Sequence, residues 1–479
     1  MIDAPALQLA DELRRILGPD RVLDARSDLA VYECDAFVIE KHCPSVAVLP
    51  NTTAEVAAIV KLCNERGVPF VPRGAGTSLS GGGLPVGGGV MIVLTRMREI
   101  VEVNLRDRYA VVEPGVVNAH LNRRLANTGF HYAPDPSSQG ACTIGGNAAT
   151  NAGGPHTLKY GVTVNHVLGV ELVTADGDIM QIGGPVEGTP GPDLVGTIVG
   201  GEGTLGIVTK IWVRLTRNPQ NMRTMLAVFD SVDDATQAIS TIIGAGIIPA
   251  ALEMMDQGIL VAVEEAFHFG FPLDAEAILL IEVDGLEVGL DAQRDRVADI
   301  CRQHRAREVR FAADAKERLQ LWKCRKQAFG AIGRLSPSYC TQDGVVPRSK
   351  LPHILQRIRA IGAKYDIRIV NVFHAGDGNL HPILLFDERH AEQIKRVLAA
   401  SNEILTECLD CGGSVTGEHG IGLEKISFMN RMFTNDDLDV MGRLRDALNP
   451  SGLLSPGKLL PTAGACGMEQ LHPGRRAAL

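Results

Sequence analysis

Val68-Pro69-Phe70-Val71-Pro72-Arg73-Gly74-Ala75-Gly76-Thr77-Ser78-Leu79-Ser80-Gly81-Gly82-Gly83 leads from a short apolar run into a loop of glycine and small hydroxyl residues, and Val90-Met91-Ile92-Val93-Leu94 returns to a continuous apolar run. An uninterrupted apolar run of this length reads as a strand buried on both faces. Between two such strands, a loop of Gly, Ala, Thr and Ser exposes consecutive backbone N–H groups, the geometry of an anion-binding nest. Thr77, Ser78 and Ser80 add hydroxyl donors. The stretch therefore predicts a loop that cradles a pyrophosphate.

Upstream, residues 52–67 predict a helix: Thr52-x-x-Glu55 is a capping box, Val56, Ile59, Val60 and Cys63 form one apolar face, and Gly67 stops it. Downstream, the segment from Pro134-Asp135-Pro136-Ser137-Ser138 through Gly145-Gly146-Asn147 to Asn151-Ala152-Gly153-Gly154 has the loop's character and predicts a second long loop. Two other glycine patterns fail on context. Gly201-Glu202-Gly203-Thr204-Leu205-Gly206 is followed by the alternating, β-branched Ile207-Val208-Thr209-Lys210-Ile211, where a dinucleotide turn must open a helix. Gly452-Leu453-Leu454-Ser455-Pro456-Gly457-Lys458 continues with Leu459, so it lacks the hydroxyl of a P-loop.

At 479 residues the chain can form two or three domains with substantial cores. A net charge of -9 argues against nucleic acid or an anionic membrane as the main partner. No apolar run reaches about 18 residues, so no transmembrane segment is expected, and residues 1–30 lack the apolar core of a signal peptide. The 10 cysteines are scattered, which predicts reduced thiols in a cytoplasmic protein. Cys408-x-x-Cys411 stands alone, and without a Cys-x-x-Cys-x-x-Cys run no iron–sulfur cluster of its own is expected.

The pattern changes near Asn218-Pro219. Up to there, short strands at 100–103, 110–113, 170–174 and 207–215 dominate. Beyond it, strands at about 223–229, 249–255, 277–284 and 307–311 alternate with helices at about 232–244, 286–304 and 314–332, which predicts a sheet with helices packed on it. A helix at about 389–409 leads to Gly412-Gly413. The fold class is α+β throughout.

Phe373-His374-Ala375-Gly376-Asp377-Gly378-Asn379-Leu380-His381 places two histidines seven residues apart, and Glu418-His419 follow. On an unbroken strand that spacing would put the imidazoles on opposite faces. Gly376-Asp377-Gly378 supplies a turn that brings them together. His374, His381 and Glu418 are thus candidate ligands of a divalent metal, zinc first, with iron(II) or manganese as alternatives. Asp377 and Asn379 orient these ligands or shape the turn.

The 72–83 loop, Gly145-Gly146-Asn147, Asn151-Ala152-Gly153-Gly154 and Gly203-Thr204-Leu205-Gly206-Ile207-Val208-Thr209 resemble the FAD-binding domain of the vanillyl-alcohol oxidase flavoprotein superfamily. The histidine motif, Gly417-Glu418-His419-Gly420-Ile421-Gly422 and Pro456-Gly457-Lys458 resemble its D-lactate/glycolate dehydrogenase branch. The resemblance spans about residues 20–461. It implies an N-terminal helical segment over 1–40, a two-part FAD-binding domain of the vanillyl-alcohol oxidase type over 41–219, an α+β substrate (cap) domain with a mainly antiparallel sheet over 220–410, a C-terminal helical segment over 411–461 that returns to the flavin domain, and a flexible tail over 462–479.

By the same resemblance Pro72, Arg73, Gly74, Ala75, Gly76, Thr77, Ser78, Gly81 and Gly82 hold the FAD pyrophosphate. Pro136, Ser137, Ser138, Gly145, Gly146, Asn147, Asn151, Gly153 and Gly154 flank the flavin, Gly203, Gly206 and Ile207 make backbone contacts, and Lys458 lies near the ring. No histidine occurs in the 72–83 loop, so the FAD is expected to be non-covalent. The implied reaction is oxidation of a small 2-hydroxy acid, glycolate first, with D-lactate and D-2-hydroxyglutarate as rivals. The metal polarises the hydroxyl, His419 is the general base, and Arg325 pairs with the carboxylate. The alternative for Arg325 is a surface charge between Lys323 and Lys326. Phe329, four residues on, either selects small acids or packs in the core. The resemblance also implies a second flavin-domain subunit, an iron–sulfur subunit, a quinone or other acceptor downstream, and attachment to the inner membrane only through such partners. A flavin-binding subunit active only inside such a complex is the alternative class.

Overall fold

A computed structural model describes residues 4–186, 188 and 190–461. The tail expected over 462–479 lies outside the described residues. The chain divides into two compact units: one takes residues up to 152, 162–217 and 418 onward, the other 153–161 and 218–417.

The first unit contains two larger sheets and a short pair, Phe130–His131 with Thr216–Arg217. In one, Val46–Val48, Val90–Val93 and Phe70–Arg73 run parallel, and Val22–Leu23 adds an antiparallel edge. Every residue of Val90–Val93 is buried, as its continuous apolar run predicts. The helix Thr53–Arg66 crosses between Val46–Val48 and Phe70–Arg73. Thr52 Oγ1 accepts from Glu55 N (3.2 Å), the N-cap bond that the capping box predicts. Glu55 Oε2 accepts from Asn51 N (2.6 Å) and Arg21 Nη1 (2.7 Å).

The second sheet is antiparallel, in the order Ile100–Asn104, Tyr109–Val112, Ile207–Arg214, Val167–Val173, Ile179–Gly183. Ile207–Arg214 alternates buried and half-buried residues, so a strand and not a helix follows Gly206. The second long loop is interrupted by a helix, Ile144–Thr150, whose N-cap Thr143 accepts from Gly146 N. Gly145 and Gly146 therefore lie in a helical turn. A Cβ on Gly145 would come within 2.5 Å of Pro114, so close packing explains that glycine. The C-terminal part returns to this unit: Leu454 bridges Phe70, and the helix Asn435–Leu448 precedes it.

The second unit is built on a nine-stranded antiparallel sheet. Glu308–Phe311, Asn221–Phe229, Ala277–Gly285, Ala251–Asp256 and Ile369–His374 are neighbours in that order, and Pro382–Phe386 pairs with Ile369–His374 and Ser338–Thr341. The helices Gln257–Phe267 and Ala315–Ile332 bury Ile259, Leu260, Val263, Leu321, Trp322 and Ala328 in its core. The helix Leu351–Tyr365 is one that the sequence reading left as unassigned chain.

Residues 153–161 join this unit although their sequence neighbours belong to the other. His156 stacks on Trp322 (5.2 Å between centroids), while Lys159 Nζ and Tyr160 Oη both bond Asp284. Among the described residues no helix is long and apolar enough to cross a membrane.

Candidate active site

In the first unit the glycine-rich loop follows Phe70–Arg73 and meets three other segments. A Cβ on Gly74 would lie 2.6 Å from Thr143 Oγ1, and one on Gly203 would lie 2.7 Å from Pro72 Cγ. Gly203 also takes φ +68, so both its conformation and its space require glycine. Lys458 Nζ donates to Gly82 O (2.6 Å), and Ser455 Oγ donates to Gly203 O (2.9 Å). Residues 72–83, 143–147, 201–206 and 455–458 are thus brought together. Pro136, Ser137, Ser138 and Asn151 belong to the same unit, whereas Gly153 and Gly154 belong to the other. Ile207 pairs with Val173 in the sheet and its side chain is core, which leaves it only backbone groups to offer.

Charges are buried around this loop. Arg73 Nη2 donates to Cys34 O (2.8 Å), while Arg73 Nη1 and Ser78 Oγ are buried with no hydrogen-bond partner among the described residues. Asp35, which the sequence reading did not single out, is buried, and its carboxyl is pushed up to about 6 by desolvation. Burial likewise pushes the Lys458 ammonium down to about 7, against the opposing pull of Asp35 and Glu202.

The sign of the Lys458 effect is testable. Below pH 7 this lysine is protonated both folded and unfolded, so the full cost of burying the ammonium is present. Between pH 7 and the unfolded value near 10.4 the native state holds the neutral amine, and that cost is progressively relieved. Without cofactor, the stability difference between Lys458→Met and the parent should therefore shrink by about 2 kcal/mol from pH 7 to pH 9. Urea melts at the two pH values measure it; a pH-independent difference contradicts the assignment.

The loop carrying Glu418 and His419 is clamped within the same unit. Glu202 Oε1 accepts from Ile421 N (2.6 Å) and Oε2 from Gly422 N (2.7 Å). Ser80 Oγ donates to His419 O (2.9 Å), and Leu423 N donates to Ser80 O (2.8 Å). Glu202 sits inside the rejected Gly201–Gly206 motif, so rejecting the motif also hid the residue. Its φ of +50, uncommon for a residue with a Cβ, marks a position held by its surroundings. Glu202→Ala leaves two buried amides without acceptors, each costing roughly 1–3 kcal/mol. Hydrogen exchange at Ile421 and Gly422 should accelerate selectively; unchanged protection there would sink the clamp.

In the second unit, His374 ends the strand Ile369–His374 and His381 precedes Pro382–Phe386. Their rings lie 5.1 Å apart at 89°, with ring nitrogens within 4.8 Å of one another, so the turn does unite the two imidazoles. Gly378 at φ +82 makes the reversal. Asp377 Oδ1 accepts from Asn379 N (3.1 Å), a turn-shaping contact.

Both histidines are buried beside carboxylates that the sequence reading missed. Glu253 Oε1 and Oε2 lie 2.8 and 3.0 Å from His374 Nδ1. His381 Nδ1 is 3.4 Å from Gln342 O and 3.7 Å from Asp343 Oδ1. Asp343 Oδ2 in turn accepts from Thr416 Oγ1 (2.7 Å) and Gly417 N (2.9 Å), the two residues that precede Glu418 in the chain.

Arg325 is fully buried, not a surface charge. Its Nε donates to Glu253 Oε2 (2.6 Å). Nη2 lies 2.6 Å from the same oxygen but is angled away from a hydrogen bond, so neither Nη1 nor Nη2 has a hydrogen-bond partner among the described residues. Burial pushes the Glu253 carboxyl up, but Arg325 and His374 together outweigh it and hold it below its ordinary value. Phe329 packs against the core of this unit, which favours the packing role over substrate selection. The nine cysteines among the described residues are all in the reduced, thiol state, Cys408 and Cys411 included.

Residues 44–183 match the family model "FAD binding domain", and residues 218–459 match "FAD linked oxidases, C-terminal domain". The chain is 44% identical over 456 residues to the glycolate oxidase subunit GlcD of Escherichia coli K12, covering 95% of this chain and 91% of that protein. It is 39% identical to the Bacillus subtilis protein of the same name, covering 94% and 96%. It is 33% identical to a probable mitochondrial D-lactate dehydrogenase of Danio rerio, covering 95% and 92%. Among solved structures, p-cresol methylhydroxylase with substrate bound superposes with a TM-score of 0.81 at 20% identity, covering 95% of this chain and 97% of that one. That likeness shows the fold: the α+β flavoprotein architecture expected from the sequence.

Proposed function

The chain belongs to the FAD-linked oxidases, and from that membership we propose that it is a metal-dependent dehydrogenase of a small 2-hydroxy acid, glycolate first, with non-covalent FAD. The observation that carries the substrate class is the buried Arg325: its Nε and Nη2 both lie against Glu253 Oε2, which ties it to His374, while Nη1 has no hydrogen-bond partner among the described residues. A guanidinium in that state, beside a pair of imidazoles, suits an acid that offers a carboxylate and an adjacent hydroxyl.

The residues present fit both groups. Arg73 Nη1 and Ser78 Oγ, buried and unpartnered in the glycine-rich loop, are donors suited to a pyrophosphate, and Gly74, Ala75, Gly76, Thr77, Gly81 and Gly82 surround them with backbone amides. Flavin supplies the acceptor for a hydride from the α-carbon. His374 and His381, united by their turn, would supply two nitrogen ligands, and Glu418 is our candidate for an oxygen ligand. This donor set suits zinc, iron(II) or manganese, and the ion contributes Lewis acidity toward the substrate hydroxyl.

The remaining roles fall to side chains. Arg325 binds the carboxylate and fixes which hydrogen of the α-carbon is presented. His419 removes the hydroxyl proton, as a group whose ordinary pKa lies near neutrality. Ser80 and Glu202 hold the loop on which His419 sits. Two curated relatives are named as subunits, which supports work alongside partner subunits that carry electrons onward to an acceptor.

Steady-state turnover of the isolated chain with an artificial acceptor tests the reading. Glycolate should give the highest kcat/KM, with D-lactate next and D-2-hydroxyglutarate last. A preference for D-2-hydroxyglutarate would refute the small-acid assignment. Bound flavin with no turnover on any acid would favour the partner-dependent subunit.

A further inference from the structure

We propose that Glu253 is a positioning residue that serves metal and substrate together: one carboxylate fixes the ring of His374 for the metal and the guanidinium of Arg325 for the acid. The inference rests on the hydroxy-acid reading above and adds a residue and a coupling to it. Glu253 lies in the middle of Ala251–Asp256, a strand whose other side chains are mostly apolar, and is itself fully buried. It makes four contacts of 2.6–3.0 Å: Oε2 to both Nε and Nη2 of Arg325, and both oxygens to His374 Nδ1.

The chemistry of those contacts defines two consequences. A carboxylate at Nδ1 requires that nitrogen to carry the proton, which makes Nε2 the metal-binding atom and fixes the ring plane. The same carboxylate takes the Nε–Nη2 side of Arg325, so the donors left for a second, incoming carboxylate are those of Nη1 and the outer hydrogen of Nη2. The sheet register supports a built arrangement: Glu253 pairs directly with His374 across the ladder, and its other neighbour is Leu280. Movement of either partner is therefore felt by the other through one rigid side chain. A metal held by His374 would thus be coupled, through Glu253, to the orientation of Arg325.

The test uses the full chain holding FAD, stripped of metal by a chelator and titrated with Co(II), whose absorption bands report ligand geometry. Glu253→Gln keeps the size but loses the charge and one acceptor. It should weaken Co(II) binding about 10–100-fold, shift the Co(II) bands, and raise the KM for glycolate about tenfold more than it lowers kcat. Glu253→Asp, charged but shorter, should recover one of the two effects and not both. A Glu253→Gln variant that matches the parent in Co(II) affinity, bands and KM overturns the proposal and leaves the hydroxy-acid reading standing. If the parent itself binds no Co(II) and shows no saturation by glycolate, the underlying reading fails and this role with it. Flavin content and melting temperature report folding. Should Glu253→Gln not fold, the double variant Glu253→Met/Arg325→Met, which removes both ends of the buried pair, takes its place. Parent-like Co(II) affinity in the double variant would equally overturn the proposal.

Discussion

His381→Ala is expected to lose the bound metal and to lower turnover by at least about 10³-fold while keeping a full complement of FAD. The estimate follows from the several kcal/mol that a Lewis-acid metal contributes at a developing alkoxide, each 1.36 kcal/mol being a factor of ten in rate. His381 is buried in the second unit, where its Nδ1 faces Gln342 O and Asp343. The glycine-rich loop and its buried donors belong to the first unit. The substitution should therefore separate the two functions: metal analysis falls to background, the flavin spectrum is unchanged, and kcat drops. Loss of FAD together with metal, or retention of more than a tenth of the parent rate, would contradict the assignment.

Arg325→Met has a second, compound effect. It removes the carboxylate-binding cation and takes from the buried Glu253 its guanidinium partner, leaving the contact to His374 Nδ1. Breaking a buried pair on one side costs about 3–5 kcal/mol of stability, and losing a charge-assisted carboxylate contact costs a further factor of about 10³ in kcat/KM. The two losses separate on adding Glu253→Met: the double variant should regain most of the stability, because no buried carboxylate lacking its guanidinium remains, and none of the activity. Denaturant midpoints and kcat/KM measured on the same three proteins decide it. A single variant as stable as the parent would show that Glu253 is neutral in the fold, and recovery of activity in the double variant would remove Arg325 from the site.

The loops were more legible than the charges. The continuous apolar run Val90–Leu94 announces a strand buried on both faces, and the alternation after Gly206 denies a helix there. The Gly376-Asp377-Gly378 turn joined His374 to His381 because period-two geometry leaves no other way to unite them. Arg325 was ambiguous because Lys323 and Lys326 flank it in sequence. Leu321, Arg325, Ala328 and Ile332 follow helical spacing and are all buried, whereas both lysines are exposed, so the face rather than the neighbours decides.

Glu253 could have been found from an acid amid Ala250-Ala251-Leu252 and Met254-Met255, since a charge in a buried strand needs a partner. Asp343 carried no such signal: its value lies in contacts with Thr416 and Gly417, seventy and more residues away. The helix Ile144–Thr150 looks like loop in sequence because Gly145 marks close packing against Pro114, which composition does not distinguish from flexibility.

The most direct measurement is anaerobic mixing of the FAD-loaded chain with glycolate, following the oxidised-flavin absorbance before metal removal, after chelation, and after metal is restored. The account predicts rapid bleaching, at least about a hundredfold slower after chelation and recovered on restoring zinc, iron(II) or manganese. Bleaching at an unchanged rate after verified metal removal, or flavin that no 2-hydroxy acid reduces, would contradict it.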